Sequence, residues 1–257
     1  MRWTDTYRWA SISLPRCLSL ARCLWFVLSA AAPLSALALP QQAPVQTQPT
    51  LPPRSSAAVQ PQFLIVLDAA HGGTDSGAHL GGRLDEKDLV LALSIRLRSM
   101  LSAHGIAVAT TRESDVTLPP AQRAAMANAH KAAACLILHA SESGSGIHLF
   151  TSSLPPAQPA TFLPWDQAQA AYLQQSLRWA AEINTAMTHA GVPVTLGRTA
   201  MQPLDNMTCP AAAVEIAPLT KESTITAALT DADYQSRILA GLTAAVESWR
   251  QDWKAQP

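Results

Sequence analysis

The sequence predicts an α/β fold, in which a single domain holds a twisted, mostly parallel sheet with helices on both faces. Two observations predict it. Short apolar runs, typical of buried strands, alternate along the chain with segments whose apolar residues recur at helical spacing. In addition, His71, His139 and Glu215 stand at or near the ends of three of these runs, which is where ligands gather in such sheets.

The elements follow in order along the chain. The first strand, 63–69, is an apolar run that a glycine pair follows. The next helix starts at Glu86, carries its leucines on one face, and ends before Gly105, a typical residue after a helix C-terminus. Further strands are predicted at 106–112, 134–140, 146–152 and 211–217, and further helices at 120–131, 166–190 and 231–252. The predicted domain spans 62–253.

Two segments precede that domain. Residues 1–38 have an arginine-rich start, an apolar core at 23–32 and a small-x-small cleavage pattern that ends at Ala38, so we predict a signal peptide. This predicts export to the periplasm or the cell exterior. An uncleaved segment that tethers the protein to a membrane is the alternative, although the apolar run is short for a span. Residues 39–61 are rich in Pro, Gln, Ser and Ala, and we predict a disordered linker.

The charge balance bears on the class of partner. The chain has 18 basic and 18 acidic residues, and removal of 1–38 takes away four arginines and Asp5. The remaining 14 basic and 17 acidic residues give a net charge of −3. This balance gives no reason to expect a nucleic acid or an anionic membrane as partner.

Two cysteines remain after the predicted cleavage, Cys135 and Cys209. An exported protein meets an oxidising compartment, where the two could form a disulfide. Two buried free thiols are the alternative, and this is the interpretation that we favour.

Two histidines and two glutamates form the candidate site: His71, Glu86, His139 and Glu215. Two histidines and one carboxylate leave a coordination position open, as a catalytic zinc requires. A further carboxylate can act as general base toward the attacking water. The pattern therefore predicts a zinc hydrolase.

Structural interpretations compete with these roles. His139 alone could be a core histidine, whereas Glu215 in an apolar strand favours function, because an unpaired buried carboxylate is costly. Asp75 is either a group that orients a ligating histidine or a loop cap. We interpret His79 and His148 as chance placements rather than as residues of the groove.

Five segments carry a family resemblance. They are Asp68-Ala69-Ala70-His71-Gly72-Gly73, Asp75-Ser76-Gly77-Ala78, Glu86-Lys87-Asp88, Ile137-Leu138-His139-Ala140-Ser141 and Val214-Glu215-Ile216-Ala217-Pro218. In order and spacing, the chain resembles the zinc-dependent type 3 family of N-acetylmuramoyl-L-alanine amidases, which cut peptide stems from bacterial cell-wall glycan. The resemblance covers about 63–250.

The resemblance implies a role for each site residue. His71, Glu86 and His139 would bind Zn²⁺, and Glu215 would be the catalytic carboxylate. The bond cut would be the amide between the lactyl group of N-acetylmuramic acid and L-alanine. Peptidoglycan is therefore the implied partner, and the need for a protein activator is left open.

Departures from the family pattern keep alternatives open. Ala69-Ala70 stands where the family has Pro-Gly, Ser141 replaces an asparagine, and Ala217-Pro218 replaces Gly-Phe. These changes bear on the range of substrates more than on the reaction type. The alternatives are a weakly active or inactive peptidoglycan-binding or regulatory homologue, and another zinc amide hydrolase of the same fold.

Overall fold

A six-stranded sheet organises the described part of the chain. The computed structural model describes residues 63–82, 84–158, 162–222 and 224–254, so the predicted signal peptide and linker lie outside the described residues. The strands of the sheet are β1 (Leu64–Ala69), β2 (Ala107–Thr110), β3 (Ala134–Ala140), β4 (Ile147–Ser152), β5 (Val194–Thr199) and β6 (Ala211–Ile216).

The strand order is β2-β1-β3-β6-β4-β5. Strands β2, β1, β3 and β6 run parallel, whereas β4 is antiparallel to β6 and β5 is parallel to β4. The predicted mostly parallel sheet is confirmed. The reversal of β4 has a consequence for the site, because the N-terminal end of β4 lies beside the C-terminal end of β6.

Among the described residues, four α-helices and a small hairpin complete the fold. The helices are α1 (Glu86–Ala103), α2 (Pro120–Asn128), α3 (Leu173–His189) and α4 (Ala232–Lys254), and the hairpin strands are β7 (Leu219–Lys221) and β8 (Thr224–Ala227). Within the described residues, none of the helices combines the length and the apolar character that a membrane span requires.

The sheet is buried on both faces. Along each central strand, side chains alternate between the two faces. Ile65, Leu136 and Val214 pack in a large cluster with apolar residues of α1, α3 and α4. Their neighbours Val66 and Ile137 belong to a smaller cluster that includes Ala127 of α2. Helices therefore cover both faces, as predicted, and the apolar runs of the sequence reflect double burial.

Two regions differ from the predicted elements. The predicted helix 166–190 begins as a 3₁₀ segment, Trp165–Ala171, and becomes α-helical only with α3. The side-chain amide of buried Gln169 donates hydrogen bonds to the carbonyl oxygens of Met207 (2.8 Å) and Cys209 (2.9 Å), which ties this segment to the chain before β6. Strands β5, β7 and β8 were not predicted, because they are short or largely exposed and lack a buried apolar run.

Cys135 and Cys209 form a disulfide, so the prediction of two free thiols is wrong. The physical reason is the adjacency of β3 and β6, where Cys135 pairs in register with Ala211. This places Cys209, two residues earlier in the chain, with its Cα 6.1 Å from that of Cys135, within the usual range for a disulfide. Strand adjacency at a sequence separation of 74 residues cannot be read from the spacing of the cysteines.

Candidate metal centre and active site

The four predicted site residues gather at one edge of the sheet. His71 follows β1, and His139 and Glu215 are the last residues but one of β3 and β6. Glu86 is the first residue of α1, which packs against β1 and β3. The carboxyl ends of parallel strands meet at this edge, so residues far apart in sequence are brought together.

The carboxylate of Glu86 lies between the two histidines. Its Oε2 is 3.1 Å from Nε2 of His71, and its Oε1 is 2.8 Å from Nδ1 of His139. One ligand atom from each of the three residues lies within 4.8 Å of the other two. Glu86 also accepts backbone N–H hydrogen bonds from Ala78 (2.9 Å) and Ala140 (3.0 Å). The buried carboxylate is thus fixed from both sides.

A second carboxylate orients His71. Oδ2 of Asp75 lies 2.9 Å from Nδ1 of His71, and Oδ1 of Asp75 accepts the N–H of Gly77 at 3.1 Å. Because an ionised carboxylate only accepts hydrogen bonds, Nδ1 donates its proton to Asp75, and Nε2 is the ring nitrogen that faces Glu86. Of the two interpretations of Asp75, the geometry favours the group that orients a ligating histidine.

Gly77 makes room for this arrangement. Its φ of +67° is in the left-handed region, which glycine adopts without a steric penalty. A Cβ at this position would lie 2.6 Å from Oε2 of Glu86 and 2.7 Å from Cδ2 of His71. A side chain at Gly77 would therefore displace two of the candidate ligands.

Arg112 ties the His71 loop to α1. Its buried guanidinium donates hydrogen bonds to the carbonyl oxygens of Ala69 (2.9 Å), Ala70 (2.8 Å) and Lys87 (2.8 Å). The turn that leads to His71 is thus held by a side chain on the segment after β2, although Ala69-Ala70 lacks the proline and glycine of the family pattern.

The site holds Glu86 in its ionised form. Burial alone would raise the pKa of Glu86, but hydrogen bonds from His139 and His71 and from two backbone N–H groups together hold it well below its usual range. The hydrogen bond to Glu86 raises the pKa of His71; burial opposes this shift, and the hydrogen bond to Asp75 adds to it. These directions agree with a cluster that holds one carboxylate between two imidazoles.

The cluster suits a divalent metal ion. Two imidazoles and one carboxylate are a donor set that zinc and similar ions prefer. Among the described residues, Nε2 of His139 is buried and finds no hydrogen-bond partner, so the protein alone does not satisfy this ring. His71, Glu86 and His139 could therefore hold an ion together.

Glu215 lies beside the cluster. On the parallel strands β3 and β6, it is the register partner of His139. Its side chain is 32% exposed, so it is open to solvent and to a ligand. This places a carboxylate next to the candidate metal ligands, where a general base is needed.

His148, which we interpreted as a chance placement, contacts Glu215 in the structure. The two residues are paired across the antiparallel strands β4 and β6, with Nδ1 of His148 2.8 Å from Oε1 of Glu215. A signal in the sequence could have indicated the direction of β4, although not its position beside β6. Only residues 141–146 connect β3 to β4, and a parallel connection needs about a dozen or more, so β4 must begin at the edge where β3 ends.

The pairs of His79 and His104 do not involve the cluster. His79 is largely exposed and pairs with Asp85 at 2.7 Å, and His104, at the C-terminus of α1, pairs with Glu247 of α4 at 2.7 Å.

Known proteins share this sequence pattern and fold. The amidase AmiC of Neisseria meningitidis serogroup B is 34% identical over 113 residues, which are 42% of this chain and 27% of that relative. The chain thus spans about a quarter of the length of this relative. The catalytic domain of the amidase CwlV from Bacillus (Paenibacillus) polymyxa var. colistinus has a TM-score of 0.58 at 24% identity, over 74% of this chain and 99% of that domain.

A further solved structure is that of the CwlD amidase from Clostridioides difficile in complex with the GerS lipoprotein, with a TM-score of 0.52 at 20% identity, over 74% of this chain and 100% of that chain. At these identities the structural likeness shows the fold. The model of the family described as N-acetylmuramoyl-L-alanine amidase matches residues 65–248, most of the chain. The chain therefore belongs to the N-acetylmuramoyl-L-alanine amidase family.

Proposed function

We propose that this protein is a zinc-dependent N-acetylmuramoyl-L-alanine amidase that acts on peptidoglycan. One observation carries the proposal. The carboxylate of Glu86 is held between His71 and His139, and Glu215 stands in register with His139 on the neighbouring strand. Three ligands with an adjacent base are what metal-assisted amide hydrolysis requires, and the family is that of amidases of this linkage.

In the proposal, His71, Glu86 and His139 hold Zn²⁺. The ion would supply Lewis acidity toward the scissile carbonyl and the attacking water. The contribution of the chain is to fix the ligands. Asp75 binds Nδ1 of His71 and so directs Nε2 toward the ion, and the N–H groups of Ala78 and Ala140 hold Glu86.

Glu215 is the general base and then the general acid. It takes a proton from the water whose oxygen forms the new bond to the lactyl carbonyl carbon. When the carbon–nitrogen bond breaks, Glu215 delivers that proton to the amine of L-alanine. The second proton of the water leaves the new carboxyl group and is taken up by the free amine. The products are therefore a free carboxylate on the muramic acid and a stem peptide with a protonated L-alanine amino terminus, so atoms and protons balance.

Export and partners belong to the same proposal. Peptidoglycan lies outside the cytoplasm, which agrees with the signal peptide predicted at 1–38 and with the disulfide between Cys135 and Cys209. The solved CwlD amidase is in complex with the GerS lipoprotein. A protein activator for this chain stays a prediction. It is tested by adding an extract of the source cell's exported proteins to the assay.

The test compares the wild type with Glu215→Gln on purified sacculi. Zinc content is measured by mass spectrometry of the metal, and released peptides are identified by their amino termini. We expect one zinc per chain in both proteins and a loss of rate of about 10²–10⁴-fold in the variant. Glu247→Gln, which alters a carboxylate paired with His104 away from the cluster, is the matched control and should cleave as the wild type does.

The outcomes separate the alternatives. Release of stems with a new L-alanine amino terminus and an intact glycan supports the proposal. Cleavage inside the stem indicates a different zinc amide hydrolase. Zinc binding without cleavage, with or without the extract, indicates a binding or regulatory homologue, and absence of zinc overturns the ligand assignment.

A further inference from the structure

We infer that His148 is a positioning residue for the proposed reaction, in which it orients the carboxylate of Glu215. The inference rests on the proposed function, since it gives Glu215 the role of the base. It assigns a task to a histidine that none of the recognised motif segments contains.

The pairing is direct and built into the sheet. His148 is the second residue of β4 and faces Glu215 on the antiparallel strand β6, at a position where Cβ atoms are about 5 Å apart. The Nδ1···Oε1 distance is 2.8 Å. The side chains of His148 and Glu215 are 18% and 32% exposed, so water competes only in part for this hydrogen bond.

The hydrogen bond restricts the freedom that a glutamate otherwise keeps. The terminal torsion of a glutamate side chain is broad, so its carboxylate rotates easily. An N–H donor on Oε1 holds the carboxylate plane, and a hydrogen bond to an ionised acceptor is roughly twice as strong as a neutral one. Oε2 then remains to accept the proton of the attacking water.

The register of the strands fixes the direction. His139 of β3, Glu215 of β6 and His148 of β4 lie side by side on three neighbouring strands. Glu215 thus stands between a candidate metal ligand and His148. Because Oε1 of Glu215 contacts His148, the other carboxylate oxygen, Oε2, remains available toward the candidate metal ligands.

The loop before β4 is shaped around the imidazole. Gly144 has a φ of +91°, and a Cβ on it would lie 2.1 Å from Cε1 and 2.2 Å from Nε2 of His148. Only a residue without a side chain leaves room for the ring at this place. The position of His148 is therefore set by the loop as well as by Glu215.

The test separates the Nδ1 donor from the bulk of the ring. His148→Asn places an amide N–H close to the position of Nδ1, whereas His148→Gln carries its amide about one bond further out, near the position of Nε2. We expect His148→Gln to lower kcat on sacculi about 10–100-fold with KM unchanged, because a misplaced catalytic group costs up to about 10²-fold. His148→Asn should retain kcat within a few-fold of the wild type.

Structural damage is monitored independently. Zinc content and the thermal midpoint of both variants are measured, and crystal structures of the wild type and the variants show where the carboxylate of Glu215 lies. Equal losses in His148→Asn and His148→Gln, or wild-type kcat in His148→Gln, overturn the inference. An ordered Glu215 in the wild type and in His148→Asn, and a reoriented one in His148→Gln, supports it.

Failure of the inference and failure of the proposed function look different. If the wild type cleaves sacculi and His148→Gln cleaves equally well, the proposed function stands and the role of His148 falls. If the wild type releases no stem peptide, with or without the extract, the proposed function fails. The nitrogen-15 NMR spectrum of His148 then tests whether His148 orients Glu215. A proton on Nδ1 that is shared with Glu215 supports the inference, and an unprotonated Nδ1 overturns it.

Discussion

Asp75 holds the protonated nitrogen of His71 through a contact of 2.9 Å between Oδ2 and Nδ1. Burial opposes ionisation of Asp75, but the hydrogen bonds from His71 and from the N–H of Gly77 lower its pKa below the usual value. A carboxylate behind a ligating imidazole fixes the tautomer and makes the other nitrogen a better donor to a metal. In the proposed zinc site, His71 would thus be prepared as a ligand by a residue that does not itself bind the ion.

Asp75→Asn should therefore weaken zinc binding. We expect a loss of affinity of about 10–100-fold, measured by competition with a chelator of known affinity. Glu247→Gln is the matched control, because Glu247 pairs with His104 through the same kind of contact at 2.7 Å but away from the cluster. An unchanged affinity in Asp75→Asn would contradict the assignment of His71 Nε2 as a ligand atom.

Gly77→Ala should reduce zinc affinity by another route. The new methyl group would meet Oε2 of Glu86 and Cδ2 of His71 at less than van der Waals distance, so the two ligands must move apart. The matched control is Gly105→Ala, since Gly105 has the same φ of +67° and a Cβ added there would have no atom within 4 Å.

Both glycine variants should lose about 1 kcal/mol of unfolding free energy, because alanine is strained at positive φ, and the clash with Glu86 and His71 should add to the loss in Gly77→Ala. Only Gly77→Ala should bind zinc more weakly. The comparison uses urea unfolding for stability and chelator competition for affinity. Equal zinc affinities in the two variants would show that the ligands tolerate the methyl group.

The sequence predicted the candidate ligand cluster because each of its residues stands at the end of a clearly patterned strand or at the start of a clearly patterned helix. His71 and His139 close runs of buried apolar residues, and Glu86 opens an amphipathic helix, so the ends of three elements were identified within a residue or two. Parallel strands bring such ends to one edge of a sheet. The position of each residue relative to its element was therefore sufficient to predict that they meet.

The parts that were missed depend on strand adjacency. The contact between His148 and Glu215 requires that β4 reverse direction and lie beside β6, and the disulfide requires that Cys135 and Cys209 fall on neighbouring strands. Local apolar patterns say which residues are buried, but they do not give the order of strands across the sheet. Strand β5 was not predicted for a different reason: it is an edge strand whose side chains are largely exposed, so it lacks a buried apolar run.

Reduction of the disulfide should lower stability and leave the site intact. The bond closes a loop with a sequence separation of 74 residues, for which the loop-closure estimate gives roughly 4 kcal/mol. Urea unfolding with and without reductant measures this for the wild type. The double variant Cys135→Ser and Cys209→Ser is the control, since reductant should not change its stability further.

Zinc content distinguishes a disulfide that only stabilises the fold from one that the site needs. Both cysteines precede the residues that carry the site, Cys135 at the start of β3 and Cys209 just before β6, so zinc content of the folded double variant should equal that of the wild type. Mass mapping without reductant should show a peptide linked through Cys135 and Cys209. Separate peptides with free thiols would contradict the bond.

Alkaline pH should act on the fold through Tyr234 of α4. Its hydroxyl donates a hydrogen bond of 2.7 Å to the carbonyl oxygen of Ala217, two residues after Glu215, and the side chain is fully buried. Burial raises the pKa of Tyr234 from 10.0 to about 12, although Arg237 opposes the shift. The folded state therefore binds the phenolic proton more tightly than the unfolded chain does.

The sign of the pH effect follows from that difference. A group with a raised pKa in the folded state contributes stability that is fully present below the unfolded value near 10 and is lost progressively as pH rises from there to about 12. Two pKa units correspond to roughly 2–3 kcal/mol. Tyr234→Phe removes both the hydrogen bond and the titration, so it should be about 1 kcal/mol less stable than the wild type at pH ~8.

The difference between the two proteins should shrink or reverse above pH ~11, because only the wild type must then deprotonate a buried phenol or keep it protonated at a cost in free energy. Urea unfolding of both proteins across this range measures the difference, and the other titrating groups cancel in it. A constant difference between wild type and Tyr234→Phe from pH ~8 to ~11.5 would show that Tyr234 titrates normally in the folded state. The segment after Glu215 would then have to open without unfolding of the domain.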